Sequence, residues 1–184
     1  MSGQFTHVAF TQDMVSRPSV QAFDCGVEEW ETEIAVWQKA PPGAAGASDD
    51  VSTAGNLVWL YVNDVGELIG VGSVGESAAS WPKNSNPRLD ATCITWLAVD
   101  VEQRGKGYGQ QILDHLLGEA LQKAAVSPLV VLYVHTSNQQ ARDWYGNRTN
   151  NFVPVGSVVV RNGRPYQRMV LSLTQSPPKT PVSN

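Results

Sequence analysis

The apolar run "TCITWLAVD" (Thr92–Asp100) leads, after two residues, into the loop "QRGKGYG" (Gln103–Gly109), and a stripe of Ile112, Leu113, Leu116, Leu117, Ala120 and Leu121 follows at once. A nearly continuous apolar run of this length reads as a central strand buried on both faces. The stripe recurs with helical spacing, which predicts a helix through Lys123 lying on the sheet. A buried strand that turns through glycines into a long amphipathic helix restricts the chain to α/β layouts.

The flanking sequence extends that pattern. "THVAFTQ" alternates weakly and predicts a first strand, and "FDCGVEEWETEIAVWQKA" carries Val27, Trp30, Ile34 and Trp37 at helical spacing, predicting a helix over 26–39. "NLVWLYV" and "LIGVGSVG" predict a hairpin turning through "NDVGE", which contains Gly66. "PLVVLYVH" reads as a second buried strand and "NQQARDWYG" as a short helix with Asn138 near its start. "FVPVGSVVV" and "YQRMVLSL" predict a terminal hairpin turning at Asn162-Gly163. The expectation is one α/β domain over residues 1–175, with a mixed central β-sheet, flanking helices and a C-terminal β-hairpin, followed by a flexible tail over 176–184. Two long connections, 40–55 and 76–90, are rich in small residues, Pro and Asn, and are candidate substrate-facing elements or tolerated surface insertions.

Composition narrows the function classes. The chain has 184 residues, 42% of them hydrophobic and 16% charged, as expected of a single globular domain with a real core. No apolar stretch is long enough to span a bilayer and the first ten residues lack the pattern of a secretory leader, so no membrane partner is expected and the location expected is cytoplasmic. Cys25 and Cys93 lie far apart with no CxxC spacing, which points to buried thiols, with no disulfide framework and no metal site. The net charge of −4 weighs against a large nucleic-acid surface, although Arg142, Arg148, Arg161, Arg164 and Arg168 gather where acids are few.

The glycine loop carries the strongest chemical signal. Backbone N–H groups at such a turn, together with the positive end of the following helix, favour an anion and above all phosphate. Gly105, Gly107 and Gly109 allow close backbone approach, and Arg104 and Lys106 add positive charge. The spacing fits neither the GxxxxGK[ST] loop nor the dinucleotide GxGxxG fingerprint.

"WLAVDVEQRGKGYGQQILDHLL" resembles the acetyl-CoA pyrophosphate loop of the GNAT N-acetyltransferases, a Q/R-x-x-G-x-G/A pattern between an apolar strand and an amphipathic helix, and the order of elements over about residues 5–173 is similar to that family as well. The resemblance implies an acetyl-CoA-dependent N-acetyltransferase with no metal. It implies that Gln103, Arg104, Gly105, Lys106, Gly107, Tyr108 and Gly109 hold the pyrophosphate of the cosubstrate acetyl-CoA. It further implies that Leu97, Ala98 and Val99 pair with the pantetheine amides and that Asn138 contacts the pantetheine arm. From the residues alone, Asn138 is equally a helix cap.

In many relatives a Tyr on the helix after the last buried strand protonates the leaving thiolate, and Tyr145 matches that position; a core-packed aromatic is the alternative. The family often reads Y-x-x-x-G-F, whereas here Phe152 follows Tyr145 by seven residues with Asn151 before it, and Asn tolerates left-handed backbone. No base for the amine is evident: Thr95 stands where some relatives have Glu, and Glu76, Asp90 and His135 are weaker candidates. Trp59 and Trp81 are candidates for an acceptor pocket, with core packing as the plainer role. "AFDCGVEEWE", carrying Phe23, Asp24, Cys25, Gly26 and Trp30, resembles the opening of acetyltransferase toxins that act on aminoacyl-tRNA. The partner implied is therefore an amine-bearing acceptor (small molecule, peptide or aminoacyl-tRNA), with a homodimer allowed. A noncatalytic acyl-CoA-binding module is the reading outside enzymes.

Overall fold

The computed structural model describes residues 5–9, 14, 23, 57–76, 91–122, 128–161 and 163–173. The expected helix over 26–39, both long connections, Cys25, Trp81, Asp90 and the tail lie outside the described residues.

β1 (Thr6–Ala9), β2 (Leu57–Val62), β3 (Leu68–Glu76) and β4 (Thr92–Val99) form an antiparallel run, and a short 3-10 turn (Val101–Gln103) leads to helix α1 (Tyr108–Gln122). β5 (Leu129–His135), helix α2 (Gln139–Gly146), β6 (Val153–Pro154), β7 (Val159–Arg161) and β8 (Arg164–Ser172) complete the described chain. The strands make one mixed sheet in the order β1-β2-β3-β4-β5-β8-β6, with β7 also on β8. β4 and β5 are the parallel pair, which requires a crossover, and α1 is the helix in that crossover. Among the described residues no helix is long and apolar enough to cross a membrane.

Alternation along the strands sorts side chains into two layers. On the α1 side, Ile69, Val74, Ile94, Val130, Leu132, Val134 and Met169 pack with Ile112, Leu113, Leu116 and Ala120 of the helix. On the other side Val58, Leu60, Leu68, Val71 and Ala98 cluster with Phe23. α1 lies close to the sheet because β3 offers it glycines. A Cβ on Gly70 would stand 2.5 Å from Ile112 Cδ1 and 2.8 Å from the Ala98 carbonyl oxygen. One on Gly72 would stand 3.0 Å from both Leu116 methyls.

The outer end of this contact is polar. The Tyr61 hydroxyl is 2.8 Å from His115 Nδ1, His115 Nε2 is 3.7 Å from Glu119 Oε1, and the His7 and His115 rings lie 3.9 Å apart. Burial chiefly, and His7 next, hold the His115 imidazole below its ordinary range, while Glu119 opposes them.

Three sequence expectations are corrected. Leu121 is 54% exposed, because its direction on the helix turns away from the stripe centred on Leu113, Leu116 and Ala120. β4 is not buried on both faces throughout: Thr95, Trp96, Leu97 and Val99 are only half-buried. The single strand expected over "FVPVGSVVV" is two short ones, since Gly156 at φ +71° turns the chain between β6 and β7. The terminal hairpin itself stands, with Arg161 opposite Arg164 across the turn.

Candidate active site

The half-burial of β4 follows from how β4 meets β5. Their register covers only Thr92 with Val130 and Cys93 with Val131. Beyond that, β4 stays on β3 as far as Val99 opposite Gly70, and β5 stays on β8 as far as His135 opposite Tyr166. The two central strands therefore diverge into a wedge, and Ile94–Val99 have no β5 partner. A bulge starts the divergence: Ser73 pairs with Trp96 and Val74 with Ile94, which leaves Thr95 as the extra residue, its hydroxyl bonded to that of Ser73. Leu97, Ala98 and Val99 line the β4 side of the wedge, and backbone polar groups at such an edge call for a partner.

The wedge opens toward the glycine loop. Asp100 caps the 3-10 turn by accepting from Glu102 N at 2.9 Å, and its own N–H donates to Ile69 O at 3.0 Å, which ties the loop to β3. Gly105 and Gly107 adopt φ of +76° and +84°, and a Cβ on either would meet nothing within 4 Å. Their conformation needs glycine, and the space beside them is open. Left-handed residues alternating with Lys106 turn successive N–H groups toward one side, a concavity that suits an anion. Gly109 differs: it lies inside α1, and its Cβ would sit at an ordinary 3.8 Å from Trp144 and Val99, so close approach is not its role. Lys106 Nζ donates to Gln103 Oε1 at 2.8 Å and Arg104 Nε to Val99 O at 3.4 Å, both at the exposed rim. Tyr108 is buried at the first turn of α1.

Across the wedge, α2 starts where β5 ends. Asn138 caps it, its side chain accepting from Ala141 N at 3.0 Å. The cap role is thus fulfilled by the carbonyl oxygen of the amide, and the NH2 group is not consumed by it. Tyr145 sits in the last turn, buried on the α1 side of the sheet. Its ring lies 4.8 Å from that of Trp144 and 5.6 Å from that of Phe152. Burial alone raises the phenol well above its ordinary range, so the hydroxyl keeps its proton. The two extra residues before Phe152 are absorbed as the sequence allows. Asn147 accepts from Thr149 N and Asn150 N, Asn151 takes φ +56°, and Phe152 N returns to Tyr145 O at 3.0 Å. Tyr145 is therefore locked by its own C-terminal loop.

The opposite face of the wedge carries different chemistry. Cys93, Tyr133 and Arg168 alternate with core residues of the α1 side and so point away from it. Cys93 is buried, as its sequence context predicts, and burial pushes its thiol up to about 12. His135 Nδ1 lies 2.7 Å from Ser137 Oγ and accepts from Ser137 N at 3.2 Å, which fixes it as a turn-stabilising residue. Trp59 is core, edge-on to His115. Among the described residues, no group of three or more His, Cys, Asp or Glu is placed to hold a metal ion. Ser73 and Tyr133 escaped the sequence reading of the site, although period-two alternation from Val131 would have placed Tyr133 beside Cys93.

The family model for the acetyltransferase (GNAT) family matches residues 24–152. No curated protein matches the sequence. Among solved structures, a bacterial toxin is similar with TM-score 0.65 and 16% identity, covering 94% of this chain and 92% of its own. AtaTR bound with AcCoA is similar with TM-score 0.61 and 16% identity, covering 92% of this chain and 94% of its own. Mutant forms of the spermidine/spermine N-acetyltransferase SpeG from Vibrio cholerae give TM-score 0.58 and 14% identity, covering 93% and 96%. Identities this low speak to the fold, while the family match takes in well over half of the sequence, glycine loop and Tyr145 included: the chain belongs to the GNAT acetyltransferase family.

Proposed function

We propose that this protein transfers the acetyl group of acetyl-CoA directly to an amine. The observation that carries the reading is the β4–β5 wedge running into an open loop of left-handed glycines, with a buried tyrosine on one side of it. Leu97, Ala98 and Val99 then offer backbone groups to the pantetheine amides, Gln103 to Gly109 offer N–H groups and cations to the pyrophosphate, and the Asn138 NH2 faces the pantetheine arm. A thioester held in the wedge presents its carbonyl carbon to an amine arriving from the face opposite α1. The C–N bond forms as the C–S bond breaks, the amine's proton passes to solvent, and sulfur leaves as a thiolate. Tyr145 stabilises that sulfur by donating its hydroxyl proton in a hydrogen bond. A phenol of ordinary pKa, about 10, is already a weaker acid than a thiol, so bonding outweighs full proton transfer here.

The test is acetyl-CoA-dependent release of CoA thiol with a panel of amino acids, polyamines, peptides and charged tRNA, comparing the protein with Tyr145→Phe. Release that depends on an acceptor and falls about tenfold or more in kcat for the variant is the expected result. Unchanged release removes Tyr145 from the mechanism. Acetyl-CoA binding with no acceptor-dependent release points to the noncatalytic acyl-CoA-binding module.

A further inference from the structure

The bulge that starts the wedge brings two hydroxyls together. Ser73 of β3 and Thr95 of β4 are hydrogen-bonded through their side chains. Their side of the sheet follows from β3: a Cβ on Gly72 would meet both Leu116 methyls of α1, so Ser73, the next residue, points away from that helix, and the Thr95 hydroxyl is drawn to the same side. Ser73 is 1% exposed, whereas Thr95 is half-buried. The pair holds two O–H protons, of which one lies between the oxygens and the other points elsewhere. Were Thr95 the donor, the second proton would be that of Ser73, inside the sheet, where an unmade hydrogen bond carries the full desolvation cost. With Ser73 donating, the second proton belongs to Thr95, on a stretch of β4 that has already parted from β5.

Resting on the acetyl-transfer reading above, we propose that Thr95 is a catalytic residue, its hydroxyl donating to the thioester carbonyl oxygen as that oxygen gains charge, and that Ser73 is a positioning residue that turns the Thr95 proton toward it. With the pyrophosphate at Gln103 to Gly109 and the pantetheine amides on Leu97, Ala98 and Val99, the arm of the cosubstrate runs along β4 toward the closed end of the wedge. The thioester at its end then comes beside Thr95, which lies between Leu97 and the last β4–β5 rung at Cys93. As the amine lone pair forms the C–N bond, the carbonyl π pair moves onto oxygen; it returns as the C–S bond breaks, sulfur leaving as the thiolate and the amine's proton passing to solvent. A donor fixed in advance stabilises that oxygen without reorienting when the charge appears. The bond from Ser73 also polarises the Thr95 hydroxyl and makes it the stronger donor. Tyr145 and the Thr95 hydroxyl thus act from opposite faces of the sheet on different atoms, sulfur and oxygen.

The test reads the carbonyl directly, with acetyl-CoA carrying 13C at the carbonyl carbon bound to the protein and no acceptor present. A hydroxyl donating to that carbonyl moves its 13C signal downfield of free acetyl-CoA; Thr95→Val should reverse most of the movement and Thr95→Ser should keep it. In acceptor-dependent transfer, Thr95→Val should lower kcat about a hundredfold with KM for acetyl-CoA little changed, the scale of losing one oxyanion donor, and Thr95→Ser should recover most of it. Because Thr95→Val strands the Ser73 hydroxyl, the double variant Ser73→Ala with Thr95→Val is measured beside it, and it should lose no more kcat than Thr95→Val, since Ser73 acts through Thr95. A carbonyl signal that Thr95→Val leaves unmoved overturns the proposal even if kcat falls, because the hydroxyl would then serve the amine or the fold. A signal that moves while kcat stays the same overturns it too, since only ground-state binding would be affected. Both results leave acetyl transfer standing. A signal that answers to Thr95→Val in a protein that acetylates no amine defeats the acetyl-transfer reading while the contact between Thr95 and the carbonyl stands. Acetyl-CoA that does not bind overturns both.

Discussion

Helix α1 is bordered by two pairs of glycines, each spaced two apart, and the pairs are opposite in kind. Gly70 and Gly72 lie in a strand beneath the helix, where an added methyl collides with Ile112, Leu116 and the Ala98 carbonyl. Gly105 and Gly107 lie ahead of the helix, where an added methyl meets nothing and only the sign of φ demands glycine. The first pair is about volume and the second about backbone direction. The same residue at the same spacing thus serves packing in one place and an open left-handed turn in the other, and only the surroundings distinguish them.

Substitution separates the pairs. Gly70→Ala forces a methyl against a backbone oxygen that cannot rotate away, and a loss of about 1–3 kcal/mol is expected, read as a lower midpoint in urea unfolding. A midpoint within error of the parent would show that α1 lifts off β3 freely and would erase the contrast. Gly107→Ala costs about 1–2 kcal/mol in stability, the usual strain of a left-handed residue with a Cβ. Its main effect is expected on acetyl-CoA, with affinity down about tenfold by calorimetry; equal affinity would detach the loop from the ligand.

The smallest expected effect is a pH dependence confined to the packed side. Since His115 titrates below its unfolded value near 6.5, the unfolded chain takes up a proton there before the folded one does. Stability contributed by this site is complete above that value and declines as pH falls through it. Melting temperatures between pH 7.5 and 5.5 should drop, and His115→Gln should flatten the slope. A steeper slope in the variant would assign the dependence to other groups.

Much of this was readable from the chain. The strand-loop-helix unit, the N-cap at Asn138 and the left-handed Asn151 follow from local chemistry, which acts within a few residues. The wedge was not readable from periodicity: "TCITWLAVD" has the same apolar run whether its neighbour stays alongside or departs, and the departure is set by a bulge at Thr95 that answers to Ser73, distant in sequence. Arg168 illustrates the same limit. Its sequence neighbours mark it as one of five arginines, and only the pairing of β8 with β5 sets it opposite Tyr133 and apart from the exposed Arg148 and Arg164.

The two rungs that join β4 to β5 have a further consequence. A sheet fastened at so short a seam is two leaves on a common spine, one bearing the glycine loop and α1, the other bearing α2, β8 and Arg168. The backbone seam is short, but α1 packs on both leaves through Ile94 of one and Val130, Leu132, Val134 and Met169 of the other, so it is the side chains on the face away from α1 whose replacement disturbs the first leaf least. Under the acetyl-transfer reading proposed above, a lineage built this way can change what it acts upon from that face without rebuilding what it draws from.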